Sequence, residues 1–204
     1  MEKFTTLRGI AAPLPLANIN TDAISPSSAG QSISVDLGAM LFANWRYLPG
    51  GADNPGFVLN QARFRHSRIL VGGTNFGCGS SRERAVWALM RFGIRCVVAP
   101  SFGEIFQENC FQNGLLPVTL AAAECAALGQ ALADAADPSV TVDLERLSLA
   151  WPDGRLSSFT ISPERRTALL QGLDEIDVIL GMEQDIDGFQ NADRTLRPWI
   201  YQNA

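Results

Sequence analysis

Apolar positions along the 204 residues change period several times, and each change marks an element. Thr5-Thr6-Leu7-Arg8-Gly9-Ile10-Ala11 reads as a short strand, broken by Pro13 and Pro15. Asn18 to Pro26 then packs turn-forming side chains around isolated apolar residues, and Ser27 to Gln31 prolongs that loop. Leu37, Met40, Leu41 and Trp45 recur at helical spacing, which predicts one helix from Leu37 to Trp45, ahead of a Pro/Gly-rich connection from Pro49 to Gly56.

The centre of the chain is the most regular part. Ile69-Leu70-Val71-Gly72 is a short apolar strand, and Gly73 to Gly79 is a glycine-rich turn. Ser80 stands three residues before Glu83, a capping-box spacing that opens a helix, and Gly93 ends it. A second strand, Ile94 to Ala99, stops at Pro100. Ser101 and Glu104 repeat the capping-box spacing for another helix, which Gly114 closes before a third strand, Leu115 to Leu120. Strand, helix, strand, helix, strand is the order of parallel crossover units, whose sites lie at the carboxyl ends of the strands.

Ala121 to Ala136 reads as helix. The runs Val140 to Leu144, Leu147 to Trp151 and Leu156 to Ile161 read as strands around a Pro152-Asp153-Gly154 turn. Ser162 followed by Pro163 is an N-cap with proline at the first helical position, Gly172 is the stop, and the tail is helical in part. With no repeat or convincing linker, residues 1–204 are expected to form a single α/β domain with an appended β-hairpin and C-terminal helices.

Charge and cysteine usage exclude several classes. Twenty-one acidic against sixteen basic residues leave a net charge of −5 and no basic stripe, so nucleic acid is not an expected partner. No apolar run reaches the ~18 residues of a membrane span and the first residues lack a signal-peptide pattern, so the expected location is the cytoplasm. Cys78, Cys96, Cys110 and Cys125 include no C-x-x-C pair, which argues against a disulfide framework or zinc ribbon. Lys3 is the only lysine and His66 the only histidine, which removes a P-loop lysine and a histidine-rich metal site.

Candidate chemistry concentrates in Gly77-Cys78-Gly79-Ser80-Ser81-Arg82-Glu83. A side-chain-poor turn runs onto a helix N-terminus, where free N–H groups and the dipole favour negative charge. Arg82 adds a planar fork suited to a carboxylate, and the hydroxyls of Ser80 and Ser81 sit where those N–H groups stabilise an alkoxide. The simpler alternative stays open: Ser80 caps, the glycines turn, and Arg82 is solvated. Arg82 stands where a dinucleotide fingerprint needs its third glycine and where a lipase-type elbow needs its last, which weakens both of those readings.

The run from Asn75 to Glu83, followed by Ala85, Trp87-Ala88-Leu89, Ala99-Pro100-Ser101-Phe102, Asn109-Cys110-Phe111 and Asn113 to Pro117, resembles the small subunits of 3-isopropylmalate dehydratases, of the aconitase superfamily. Asn18 to Ile24 resembles the family's N-terminal motif, Leu41-Phe42 with Trp45-Arg46 falls in place, and the likeness spans nearly the whole chain. It implies a swivelling β/β/α domain, like the aconitase C-terminal domain, that closes over a separate large subunit. The [4Fe–4S] cluster is then expected on that large subunit, with no cofactor or metal in this chain.

By this resemblance the enzyme is a hydro-lyase of leucine biosynthesis that moves a hydroxyl between adjacent carbons of a 2-alkylmalate, a small hydroxy-diacid, through an alkene. Ser80 as alkoxide resembles the family's base, and Ser81, Arg82 and Gly79 would hold substrate. Asp22, Thr21, Asn75 and Glu83 would support them, although Asn-x-Asn-Thr-Asp is equally an ordinary Asx-turn sequence and Cys78 suits a packed turn better than a ligand role. Arg84 and Val86 stand where the family usually has His and Pro, and Ser27 to Gln31 replaces a basic loop. These departures either retune the pocket for another malate derivative (methylcitrate, dimethylmalate, citraconate or homoaconitate) or are neutral. A non-catalytic anion-binding paralogue is the reading from a different class, and self-association of the isolated chain stays open.

Overall fold

The computed structural model describes residues 1–26, 36–80 and 83–201. In order along them run β1 (Thr6–Leu14), α1 (Thr21–Ile24), α2 (Leu37–Met40), α3 (Ala43–Arg46), β2 (Ile69–Gly72), α4 (Glu83–Phe92), β3 (Cys96–Ala99), α5 (Glu104–Asn113) and β4 (Leu116–Thr119). Then follow α6 (Ala122–Asp134), β5 (Ser139–Asp143), β6 (Ser148–Ala150), β7 (Leu156–Ser158), α7 (Pro163–Gln171), α8 (Glu175–Leu180) and α9 (Glu183–Leu196). By packing, the chain divides into two units, Met1–Gly172 and Leu173–Ala204.

The first unit holds one mixed sheet in the order β4-β3-β2-β1-β5-β6-β7. β1 to β4 are mutually parallel neighbours, and β5, β6 and β7 extend the sheet antiparallel from β1. The parallel half is apolar on both faces, as a sheet covered on both sides requires. Ile69, Val71, Cys96 and Val98 pack with Leu128 and Leu132 of α6 and Leu169 of α7. Their neighbours Leu70, Val97 and Ala99 pack with Ala85 and Leu89 of α4 and Phe106 of α5.

β1 continues through Pro13, where the composition suggests a break. Its first half pairs with β5 and its second half, Ala11 to Leu14, with β2. The Ala11 N–H reaches Pro138 O on the β5 side at 3.0 Å. Pro13, two residues on, aims its nitrogen the same way, beyond the start of β5, so its missing N–H breaks no ladder bond.

The single helix expected over Leu37 to Trp45 is two short turns, α2 and α3, separated at Leu41–Phe42. Successive helical side chains point about 100° apart, yet Leu41 and Phe42 are both fully buried. The chain satisfies both by putting Phe42 in the left-handed region at φ +50, where its ring stacks on Trp45 at 5.5 Å. The helix expected after Ser101 is α5, but Gly103 is its N-cap residue and the Ser101 hydroxyl has a different partner, described below.

The second unit contains α8, α9 and a closing 3-10 turn. Asp174 and Asp177 form a reciprocal capping box at the start of α8. Asp193 of α9 accepts from the Tyr201 hydroxyl at 2.8 Å and pairs with Arg197 at 2.5 Å.

Candidate functional site

β1, β2 and β3 run parallel, so the loops that follow them leave the sheet at one edge. The glycine turn after β2 lies between the other two. On one flank, the Asn18 N–H donates to Thr74 O at 2.8 Å, the Gly77 N–H to Ile19 O at 2.7 Å, and the Thr21 N–H to Cys78 O at 3.0 Å. On the other, the Asn75 N–H donates to Ser101 Oγ at 2.8 Å, the Phe76 N–H to Ser101 O at 3.0 Å, and the Gly103 N–H to Phe76 O at 2.8 Å. The turn is thus bound on both sides like a short central strand.

Its backbone needs special residues. Asn18 and Asn75 both sit at positive φ, 57° and 60°, a region asparagine tolerates better than most residues, and Asn75 Nδ2 donates to Asn18 Oδ1 at 2.9 Å. Gly77 has φ +74, and a Cβ there would lie 2.2 Å from the Phe106 ring. Phe76, Phe102 and Phe106, with centroids 5.6 to 6.4 Å apart, form an aromatic floor beneath it. Gly79 has φ +93 with ordinary space around it.

The turn opens outward at its far end. Cys78 is half-buried, whereas Gly79 and Ser80 are exposed, and α4 begins three residues after Ser80. Thr21, Asn75, Gly79 and Ser80 are therefore drawn into one neighbourhood from two distant motifs. Asp22 is exposed on α1, and the Asx-type bond of that motif belongs to Asn20, whose Oδ1 accepts the Ala23 N–H at 2.7 Å. Ser81 and Arg82, with Ser27 to Gln31, lie outside the described residues.

Glu83 opens α4, and its Oε1 accepts from Asn113 Nδ2 at 3.0 Å. Asn113 Oδ1 in turn accepts the indole N–H of Trp87 at 2.9 Å. Asn18, Ser101 and Asn113 are thus structural partners that pattern alone did not single out. Ser101 carried a capping signal that pointed to the wrong bond, and Asn113 stood in the family motif with nothing to mark its contacts. Val86 is fully buried in the core beside Leu70 and Leu89, and His66 is exposed.

Among the described residues no group of three or more His, Cys, Asp or Glu stands close enough to hold a metal ion. Burial raises the thiol pKa values of Cys96 and Cys110 and pushes that of Cys125 up to about 11, which disfavours the thiolate a cluster needs. Among the described residues the donor set does not fit an iron–sulfur cluster. No helix among the described residues is long and apolar enough to cross a membrane.

The sequence pattern of the aconitase C-terminal domain matches residues 1–123. The 3-isopropylmalate dehydratase small subunit of Cupriavidus necator is 52% identical over 98% of this chain and 99% of its own length. That of Dinoroseobacter shibae is 49% identical over 98% of this chain and 100% of its own. The chain belongs to the 3-isopropylmalate dehydratase small-subunit family, within the aconitase C-terminal domains. The crystal structure of 3-isopropylmalate dehydratase from Methanocaldococcus jannaschii shares this fold, with a TM-score of 0.64 at 22% identity over 91% of this chain and 99% of that one. Within this small-subunit family the mixed α/β sheet described above is the aconitase-type swivel fold, and the glycine turn lies at the edge where its parallel strands end.

Proposed function

We propose that the chain is the small subunit of a hydro-lyase that interconverts 2-isopropylmalate and 3-isopropylmalate in leucine biosynthesis, active in the cytoplasm with a large subunit that carries a [4Fe–4S] cluster. The observation that carries the reading is the exposed Gly79-Ser80 step ahead of α4, braced by Asn18 to Thr21 on one side and Ser101 to Gly103 on the other.

A proton next to a carboxylate is weakly acidic, so its removal needs a fixed base and donors for the charge that develops. Ser80 Oγ, as alkoxide, takes that proton and returns it on rehydration. The helix N-terminus favours both the alkoxide and the diacid by its positive end. Ser81 and Arg82 grip the substrate carboxylates, with Arg82 offering a two-point fork, and the Gly79 backbone lets the substrate approach closely. Thr21 and Asn75 hold the turn through the bonds described above, and Asp22 follows Thr21 on α1. The cluster of the large subunit would supply a Lewis acid for the departing hydroxyl.

The test is anaerobic co-purification with the cognate large subunit, followed by alkene absorbance with isopropylmalate and related hydroxy-diacids. Turnover is expected with isopropylmalate and a loss of at least about 100-fold in kcat in Ser80→Ala, in line with removal of a general base. Equal turnover in Ser80→Ala and parent defeats the assignment of the base, and preference for another diacid defeats that of the substrate.

A further inference from the structure

We propose that Asn113 is a positioning residue for substrate affinity: it holds the Glu83 carboxylate on the α5 side of α4 and so keeps that negative charge off the turn that takes the substrate carboxylates. The inference rests on the dehydratase reading above.

Asn113 is the last residue of α5, and its amide is fully engaged. Nδ2 donates to Glu83 Oε1 at 3.0 Å and to Asn109 O at 2.9 Å, while Oδ1 accepts the Trp87 indole N–H at 2.9 Å. A flipped amide would set N–H against N–H at Trp87 and oxygen against oxygen at Glu83 and Asn109, so only one orientation satisfies all three partners. Glu83 and Trp87, four residues apart, share one stripe of α4, and the amide latches that stripe to the end of α5.

The direction of the latch matters. Gly103, ahead of α5, bonds to the glycine turn at Phe76, whereas Asn113 lies ten residues further on, about 15 Å along the helix axis. Glu83 is thus drawn toward the end of α5 remote from that contact. A carboxylate in the first turn of α4 is stabilised by the same positive helix end that has to attract a diacid. Loose, it competes with the substrate for that field. Latched, it is satisfied elsewhere.

The test uses the assembled two-subunit enzyme and reads KM and kcat for isopropylmalate. In Asn113→Asp the new carboxylate still accepts the Trp87 N–H but faces Glu83 with like charge, and KM is expected to rise on the order of three- to tenfold with kcat within about twofold. Adding Glu83→Gln restores a donor–acceptor pair of reversed polarity and is expected to return KM to within about twofold of the parent. Asn113→Ala, which releases Glu83 without adding charge, is expected to raise KM less and covers the case in which the aspartate variant does not fold.

A KM unchanged in both Asn113 variants, a KM that stays high in the double variant, or a fall in kcat alone overturns the inference. A parent enzyme that neither binds nor turns over the diacid instead removes the dehydratase reading, and the positioning role with it.

Discussion

The backbone N–H of Thr21 donates to the carbonyl of Cys78 at 3.0 Å, and Asn20 and Cys78 form an isolated parallel bridge at the same place. The loop after β1 and the turn after β2 thereby behave as a short ribbon beyond the sheet edge. Ser80 then follows a backbone anchored two residues earlier. Geometry at Ser80 is therefore sensitive to changes that never touch it, and the two glycines of the turn respond differently.

Gly77→Ala and Gly79→Ala both place a side chain at positive φ, which costs about 1–2 kcal/mol by itself. At Gly77 the new Cβ also lies 2.2 Å from the buried Phe106 ring, so the aromatic floor must move. We expect Gly77→Ala to lower stability by about 3 kcal/mol or more and Gly79→Ala by about 1–2 kcal/mol, by analogy with overpacked cores. Urea unfolding reads the first difference. Steady-state turnover is expected to fall in Gly79→Ala even where the protein remains fully folded, and full activity there would show that the turn tolerates a shifted Ser80.

Asn75 combines a left-handed backbone with a side-chain bond to Asn18, and two substitutions separate these contributions. Asn75→Gly keeps the conformation and loses an exposed bond, for an expected cost near 0.5–1 kcal/mol. Asn75→Val adds the penalty of a β-branched residue at φ +60 and should cost at least about 1 kcal/mol more. Equal melting temperatures for the two variants would mean that backbone strain at this position is negligible.

Ser101 supplies the acceptor for the Asn75 N–H and does not cap α5. Ser101→Ala should therefore speed hydrogen exchange at the Asn75 amide while leaving the first-turn amides of α5 as they were, with a stability loss of about 1 kcal/mol. Faster exchange at Glu104, the amide that a Ser101 cap would hold, with Asn75 unaffected would restore the capping role that the spacing suggests.

How far the chain could be read without coordinates follows from the range of the interactions involved. β2, α4, β3, α5 and β4 were legible because periodicity and glycine stops are local signals, and Ser162-Pro163 with Gly172 bounded α7 for the same reason. The glycine turn after β2 was legible because it is contiguous in sequence. The split at Phe42 was not, since it depends on burying two adjacent side chains in a core made by distant segments. Nor was the partner choice of Ser101, because the competing Asn75 N–H arrives from another loop. Asn113 joins α5 to α4 entirely through side chains, a contact that spacing does not encode.

Three buried thiols give the fold an alkaline limit. Burial raises the pKa of Cys96 and Cys110 well above the ordinary 9.0 and pushes Cys125 up to about 11. A group whose pKa is higher folded than unfolded contributes its full stability below the unfolded value and loses it as pH rises toward the folded one. Below pH 9 the thiols are protonated in both states and stability is flat. Above it, each unfolded thiol that ionises favours unfolding, by about 1.4 kcal/mol per pH unit for each of the three. The loss from Cys125 levels off near pH 11, while Cys96 and Cys110 continue to contribute beyond it. The urea midpoint should therefore hold between pH 7 and 8.5 and fall steeply from pH 9 to 10.5, with a shallower slope in Cys125→Ala. A thiol reagent at pH 8 should label Cys96, Cys110 and Cys125 only after urea is added. A midpoint that stays level to pH 10.5, or labelling of all three in the native protein, would show that these side chains are open to solvent.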